Sequence, residues 1–108
     1  IENSSITEGC DIYGTVRNSV LGSGVTVMPG AEVVDSVIMD DCVIGEGARV
    51  CYSILDAGVK VGAGSTVGKD RAEAKGIAVI GTGITVPAST AVADGAMINN
   101  QTDLVKEA

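Results

Sequence analysis

Branched aliphatic residues recur every six positions along most of the chain, and small or polar residues fill the positions between them. The recurring residues are Ile6, Ile12, Leu21, Val27, Val33, Ile38, Ile44, Val50, Leu55, Val61, Val67, Ile80, Val86, Val92 and Ile98. A period of six fits neither an amphipathic α-helix nor strands that alternate every two residues and return through hairpins. The pattern therefore predicts a solenoid built from six-residue units.

Each unit also carries a residue suited to a sharp bend, three positions after the aliphatic one. These residues are Gly9, Gly24, Gly30, Gly47, Gly58, Gly64, Gly83 and Gly95, with Asp41 at one equivalent place. Glycine, and less readily aspartate, accepts a positive φ, so we expect one corner per unit. Three short strands and three corners close a triangular coil of about eighteen residues, and coils stack about 4.8 Å apart.

Three serine-containing triplets align successive coils. Ser19-Val20-Leu21, Ser36-Val37-Ile38 and Ser53-Ile54-Leu55 recur every seventeen residues, which predicts that one corner of each coil is shorter by one residue. The fold class is therefore all-β, a single-stranded parallel β-helix of about four to five coils. We expect main coils over 5–67, an excursion loop over 68–78, a final coil over 79–98 and a C-terminal cap or tail over 99–108.

Composition limits how such a coil is filled and what it can bind. The chain has 108 residues, enough for one domain, with no Phe or Trp and two Tyr, so aliphatic residues must form thin repeated core layers. A net charge of −7 disfavours a broad nucleic-acid or anionic-membrane surface. No apolar run has the length of a membrane span. We expect a cytoplasmic protein and, because the chain opens at Ile1 inside a repeat, part of something larger.

The three cysteines show no C-x-x-C spacing, which argues against a disulfide framework or a zinc site. Cys10 and Cys42 occupy the inward small position beside a corner, so we expect core thiols. Cys51 follows the ladder residue Val50 directly. We expect it to face solvent, with no neighbour that would activate it.

The sequence offers no catalytic group. Histidine is the commonest general base and a frequent zinc ligand, and this chain has none. Asp40, Asp41 and Asp56 are best interpreted as solvated turn residues, since Asp is common in turns. The Gly-x-Gly strings are explained by the corners, so a phosphate loop is not indicated. We assign no catalytic, cofactor-binding or metal-binding residue to this chain.

The basic residues Lys69, Arg71 and Lys75 cluster in the predicted excursion loop. A solvated charged surface is the simpler interpretation of such a run. The alternative is a site for a phosphorylated effector, because Lys and Arg side chains on a loop can close over a phosphate group.

The repeat resembles the left-handed β-helix family of hexapeptide-repeat proteins, and the handedness we expect comes from that resemblance. Residues 10–21 (CDIYGTVRNSVL) and 33–39 (VVDSVIM) are more specific. They resemble the C-terminal domain of bacterial glucose-1-phosphate adenylyltransferases, the ADP-glucose pyrophosphorylases of glycogen synthesis. The resemblance covers essentially the whole chain, including the entry into a charged loop at 67–70 and the closing coil at 80–98.

This resemblance implies a parent enzyme that joins ATP and glucose 1-phosphate to give ADP-glucose and pyrophosphate with Mg²⁺. It implies that the β-helix packs on an N-terminal catalytic domain, which this chain lacks, helps to assemble a tetramer and contributes to control by a sugar-phosphate effector. No family catalytic residue maps onto this chain.

Two other hypotheses stay open from the sequence. One is an interaction domain of a catalytically silent paralogue, or of a related nucleotide-sugar transferase or exchange-factor subunit. The other is a hexapeptide acyltransferase, which the absence of histidine disfavours. The sequence ahead of Ile1 would separate the first alternative from an active enzyme.

Overall fold

The computed structural model describes residues 2–106, and within them the chain forms sixteen strands of two or three residues and one 3₁₀ helix, Gln101–Lys106. The strands form three parallel sheets that make the three faces of a solenoid. Face 1 contains β1 (Ser5–Ile6), β4 (Val20–Leu21), β7 (Val37–Ile38), β10 (Ser53–Leu55), β13 (Ala78–Ile80) and β16 (Met97–Ile98). Face 2 contains β2 (Asp11–Ile12), β5 (Thr26–Val27), β8 (Val43–Ile44), β11 (Lys60–Val61) and β14 (Thr85–Val86). Face 3 contains β3 (Thr15–Arg17), β6 (Glu32–Val34), β9 (Arg49–Cys51), β12 (Thr66–Val67) and β15 (Ala91–Val92).

Each strand pairs in parallel with the strand one coil away, and the registers place like residues over like residues. Leu21 pairs with Ile38, Val61 with Ile44 and Val33 with Val50. The prediction of an all-β parallel solenoid is therefore confirmed, and the architecture is consistent with the left-handed hexapeptide type.

One inward residue from each strand builds the core, and the ladders differ between faces. Face 3 contributes only valine, namely Val16, Val33, Val50, Val67 and Val92. Face 1 contributes the larger Leu and Ile side chains, and face 2 contributes both Ile and Val. Thirteen of the fifteen predicted ladder residues are buried, while Ile6 and Ile12 in the first coil are half-buried and pack against the core.

The predicted count of four to five coils is low. Face 1 has six strands and faces 2 and 3 have five each among residues 2–106, so five coils are complete and a sixth has begun. The strand that we missed is β3, where Val16 follows Ile12 by four residues instead of six. Tyr13 and Gly14 alone turn this corner, and a Cβ on Gly14 would collide with the carbonyl oxygen of Ala31. The period of six is broken there because this corner has two residues where the equivalent corner of the next coil has four, and glycine at position 14 lets the two backbones pass this closely.

The predicted corner residues all have a positive φ, including Asp41 at 59°. Between faces 3 and 1, the shorter corners use a second set of residues with a positive φ, Asn3, Asn18, Asp35 and Tyr52, and Gly68 takes the same conformation where the excursion loop begins. These residues and Ser89 carry no common corner signal in the sequence, since five of the six are not glycine. Their backbone conformation is uncommon outside glycine, so the neighbouring hydrogen bonds must hold it.

A buried serine ladder supplies those hydrogen bonds. The Ser19 hydroxyl donates to the carbonyl of Arg17 at 2.8 Å and accepts the backbone N–H of Ser36 at 3.0 Å. Ser36 repeats the pattern with Val34 at 2.8 Å and with the N–H of Ser53 at 3.2 Å. Each hydroxyl thus replaces the missing residue of the corner, which explains why the serine triplets recur at seventeen.

The ladder stops where residues 68–77 leave the coil. These residues contain no strand. In the next coil Ala78 pairs with Ser53, so alanine stands where the ladder would need another serine. At the lower end, the 3₁₀ helix places the buried Leu104 against the core. The Gln101 side-chain amide also accepts the N–H of Thr85 at 3.0 Å and donates to its carbonyl at 2.6 Å, as another coil would. The last two residues of the expected cap, 107 and 108, lie outside the described part of the chain.

We expect Val27→Asp and Ile44→Asp each to abolish the cooperative thermal melt. Both ladder positions are fully buried, and an unpaired carboxylate there costs several kcal/mol, comparable with the whole stability of about 5–15 kcal/mol. Circular dichroism measures the melt. Lys60→Asp, at an exposed outward position of face 2, is the control and should melt cooperatively. A cooperative melt in either ladder variant would contradict the inward assignment.

Candidate functional site

Two surfaces stand out among the described residues, and the first is the region where residues 68–77, the excursion loop, lie against face 3. Glu32 and Arg49 are paired neighbours on adjacent coils of this face, so both side chains point outward one above the other. Arg49 contacts Glu32 at 3.5 Å and the Asp70 carboxylate of the loop at 2.7 Å. The guanidinium therefore joins two coils to the loop.

A second contact fixes the loop to the coil below. The Asp94 carboxylate accepts the backbone N–H of Lys75 at 2.8 Å and lies 3.8 Å from the ammonium group of Lys69. The side chain of Asp94 is only 11% exposed. The N–H of Lys75, with a smaller contribution from the positive charges of Lys69 and Lys75, lowers the pKa of Asp94. Asp94 is thus held ionised, and the loop is attached both above and below.

A cavity of about 390 Å³ lies between the loop and face 3. The residues that line it are Arg49, Cys51, Thr66, Gly68, Lys69, Asp70, Glu73, Ala91, Val92, Ala93 and Asp94. Its charged groups include three carboxylates and two cations, so they are of both signs and largely paired with one another. This arrangement does not form a strongly cationic pocket.

The expectation that Cys51 faces solvent is wrong. Strand alternation turns its side chain outward beside the inward Val50, but the excursion loop covers it and leaves it 2% exposed. This burial raises the pKa of the thiol, and the opposing effect of the Arg49 charge is smaller. Cys51 is therefore a protonated, shielded thiol at neutral pH.

The other two thiols lie in one corner column, between faces 1 and 2. Cys42 is buried in the core, as expected, and burial raises its pKa. Its Sγ lies 3.0 Å from the carbonyl oxygen of Asp56, while the Sγ of Cys10 lies 3.0 Å from that of Gly22. Cys10 is half-buried in the first coil.

The three cations of the excursion loop, Lys69, Arg71 and Lys75, make different contacts. Lys69 approaches Asp94, and its side chain is 61% exposed. Arg71 is exposed and makes no ion pair with the described residues. Lys75 uses its backbone N–H to contact Asp94, while its side chain remains exposed.

The second surface is the outer side of face 1, which carries apolar side chains. The outward residues of its strands are Ser5, Val20, Val37, Ile54, Val79 and Met97, with no charge among them. Val20 is 50% exposed and Met97 60%, and the nearby Met39 and Ile77 are also exposed. Faces 2 and 3 present charged outward residues such as Lys60 and Arg49 instead.

Sequence reasoning missed this surface because it followed the inward ladders alone. A signal was available, since the residue ahead of each face 1 ladder position from Leu21 onward is aliphatic or methionine. The corresponding residues on face 2 include Asp11, Thr26 and Thr85. Consecutive apolar residues in a strand that buries one side indicate that the other side is also covered.

The carboxylates outside the loop act in turns. Asp40 accepts the N–H of Ser23 at 2.8 Å, and Asp56 accepts the N–H of Ala57 at 2.7 Å. Within residues 2–106, no three Cys, Asp or Glu side chains gather closely enough to hold a metal ion. Over the same residues, no helix is both long and apolar enough to cross a membrane.

The three-faced coil, its stacked aliphatic ladders and its corners define a hexapeptide-repeat β-solenoid. Residues 1–87 match the family model described as GlmU-like, C-terminal hexapeptide. The chain belongs to this family.

Curated relatives are named glucose-1-phosphate adenylyltransferase. The protein from Acetivibrio thermocellus is 43% identical over 96 residues, which cover 81% of this chain and 22% of that protein. The relative from Frankia casuarinae is 49% identical over 87 residues, covering 78% of this chain and 21% of the relative. The relative from Desulfitobacterium hafniense is 34% identical over 105 residues, covering 94% of this chain and 26% of the relative. The chain thus spans about a fifth to a quarter of the length of these relatives.

Among solved structures, a mutant GDP-perosamine N-acetyl transferase from Caulobacter crescentus matches 84% of this chain and 50% of its own. The identity is 19% and the TM-score is 0.32. This likeness says nothing about the activity of the present chain.

We expect Cys42 and Cys51 to react with a thiol reagent at neutral pH at least about tenfold more slowly than the same residues in urea, because the thiolate is the reactive form. Burial raises the pKa of both thiols. The protonated thiols therefore stabilise the folded protein fully below the ordinary thiol pKa, and this stabilisation is lost as the pH rises through the raised values. Mass spectrometry after timed alkylation assigns the rates. Reaction of Cys51 in the folded protein as fast as in urea would contradict its shielding.

Proposed function

We propose that this chain is the C-terminal assembly and regulatory domain of a cytoplasmic glucose-1-phosphate adenylyltransferase of glycogen synthesis. The parent reaction joins ATP and glucose 1-phosphate to give ADP-glucose and pyrophosphate. The catalytic residues and the Mg²⁺ that assists them belong to an N-terminal domain outside this chain. Support comes from the names of the relatives, of which this chain spans about a fifth to a quarter.

The observation that carries the assembly role is the uncharged outer side of face 1. Five of its six strands, β4 to β16, carry apolar outward residues, and at a spacing of about 4.8 Å they make an apolar strip about 19 Å long. Soluble proteins rarely leave such a contiguous apolar surface open to water, and rims of polar residues around it are typical of interfaces. The strip is therefore the surface by which the domain packs on the rest of its parent, within a homo-oligomer that is a tetramer in the family.

In the full-length parent, Val37→Asp is expected to weaken this packing. The charge would be desolvated at the interface, which costs several kcal/mol when no partner is present. We expect the oligomer to dissociate or the melting temperature to fall by several degrees, measured by analytical ultracentrifugation and calorimetry.

Val43→Asp is the matched control, because Val43 also points outward but lies on face 2. It should leave assembly unchanged. Equal effects of the two substitutions, or no effect of Val37→Asp, would argue against face 1 as the packing surface.

We also propose that Lys69, Arg71 and Lys75 contact an anionic effector such as a sugar phosphate. Two features support this idea: all three residues lie in one loop, and the side chains of Arg71 and Lys75 are exposed without an ion pair among the described residues. The pairing of Lys69 with Asp94 limits what Lys69 can add. The exposed pair is therefore the stronger part of the candidate site.

Replacing Lys69, Arg71 and Lys75 by Ala in the full-length parent should reduce activation by a sugar phosphate while basal turnover persists. Each lost charge-assisted contact to phosphate is worth about 1.5–3 kcal/mol, so the activation constant should rise at least about tenfold. Initial rates across an effector titration measure this. Lys60→Ala, a cation on face 2, serves as control, and unchanged activation in the triple variant would remove the loop from consideration.

A further inference from the structure

We propose that the excursion loop, residues 68–77, is a latch that opens and closes over face 3 while the coils remain folded. Two side-chain contacts hold it closed, Asp70 on Arg49 above and Asp94 with Lys69 and Lys75 below. At its two ends the backbone also meets the coils, where the N–H of Gly68 donates to the carbonyl of Val92 at 2.9 Å and Gly76 lies close to Gly95. Its opening uncovers the cavity and the thiol of Cys51. This inference is independent of the proposed enzymatic role of the parent.

The coils do not depend on the loop for their register. Strand β13, which follows the loop, pairs with β10 through Ser53 and Ala78, Ile54 and Val79, and Leu55 and Ile80. The next coil down continues with β15 paired to β12. Parallel pairing and the buried ladders thus join the coils on both sides of the loop, so the loop can detach without breaking them.

The loop is also organised to move as a unit. The backbone N–H groups of Glu73 and Ala74 both donate to the carbonyl of Asp70, at 2.8 and 2.9 Å, which forms a single turn. Gly68, with φ of 75°, stands where the loop leaves the coil, and Gly76 stands where it returns. A closed turn between two glycines can pivot with little internal rearrangement.

The two contacts differ in strength. In the upper contact, the side chains of Arg49 and Asp70 are 45% and 51% exposed, so water and salt weaken their attraction. In the lower contact, Asp94 is shielded and accepts a backbone N–H as well as facing a cation. Asp94 is therefore the main holding group of the latch.

The charged groups around the latch set its response to pH. Face 3 presents Glu32 and Arg49, the loop itself carries Lys69, Asp70, Arg71, Glu73 and Lys75, and Asp94 follows β15. The contacts of Asp94 lower its pKa, so they are fully present above the ordinary carboxyl pKa and are lost as the pH falls through the lowered value. The latch is closed at neutral pH, and acid opens it.

Cys51 reports whether the latch is open, because it is buried on the outer side of face 3 and lines the cavity beneath the loop. Cys42 reports whether the coils are open, because it lies in the core. The groups that shift the pKa of Cys51 are Arg49, Asp70 and Glu32, and Asp94 is not among them. Removal of Asp94 is therefore expected to accelerate the reaction of Cys51 by moving the loop, not by changing the charges that set the pKa of the thiol.

The test is the modification rate of each cysteine by 4,4′-dithiodipyridine at pH 7 in the protein and in Asp94→Ala, with the sites assigned by mass spectrometry. We expect Cys51 to react about tenfold faster in the variant, the size of a lost charge-assisted hydrogen bond, while the rate of Cys42 and the melt stay unchanged. In the unsubstituted protein, acidification below the ordinary carboxyl range should raise the reactivity of Cys51 relative to Cys42.

Asp40→Ala is the matched control, since Asp40 also accepts a backbone N–H at 2.8 Å in a corner but does not line the cavity. It should leave both rates unchanged. An unchanged Cys51 rate in Asp94→Ala would overturn the latch. Equal acceleration of Cys51 and Cys42 would also overturn it, because the coils would then be opening together with the loop.

Discussion

The whole structure depends on stacking one inward aliphatic side chain directly over another in each successive coil. Parallel strands of two or three residues gain little by themselves, and the burial of branched side chains supplies about 1.5–3 kcal/mol each. That contribution requires every coil to return to the same register, so each corner must bring the chain back over its neighbouring coil whatever the length of the corner. Glycine at the six-residue corners and the serine ladder at the shorter corner are two solutions to this one requirement.

Because the inward side chains form the core, the outward residues are free to differ between faces. Face 3 carries the pair Glu32 and Arg49, of which Arg49 holds the excursion loop. Face 2 mixes threonine and valine with single charges, and face 1 carries mainly aliphatic side chains. In a chain with a net charge of −7, an uncharged face also avoids repulsion when it meets another surface of the same protein. The apolar face and the excursion loop thus lie on different sides of one scaffold.

The sequence was sufficient for the parts of the fold that repeat. The period of six located the ladders and the corners, because each position makes the same contact in every coil. It failed where the residue type or the spacing departs from the repeat. Val16 was missed because one corner, at Gly14, is shorter than its counterparts, and the short-corner residues were missed because most of them, such as Tyr52, are not glycine. Cys51 was misplaced for a related reason, because its burial depends on a loop whose path no periodicity describes.

The same division explains why the excursion loop can have a conformational equilibrium of its own. A residue in a coil is held by neighbours above and below, so its release must break two layers of the core. The loop touches the solenoid through a few side chains, and of its two ion pairs one is half exposed. Local opening begins where the contacts are weakest. Here those contacts hold the loop over a cavity that Cys51 lines. An insertion into a rigid repeat therefore adds a mobile element while the strands of the coils around it keep their register.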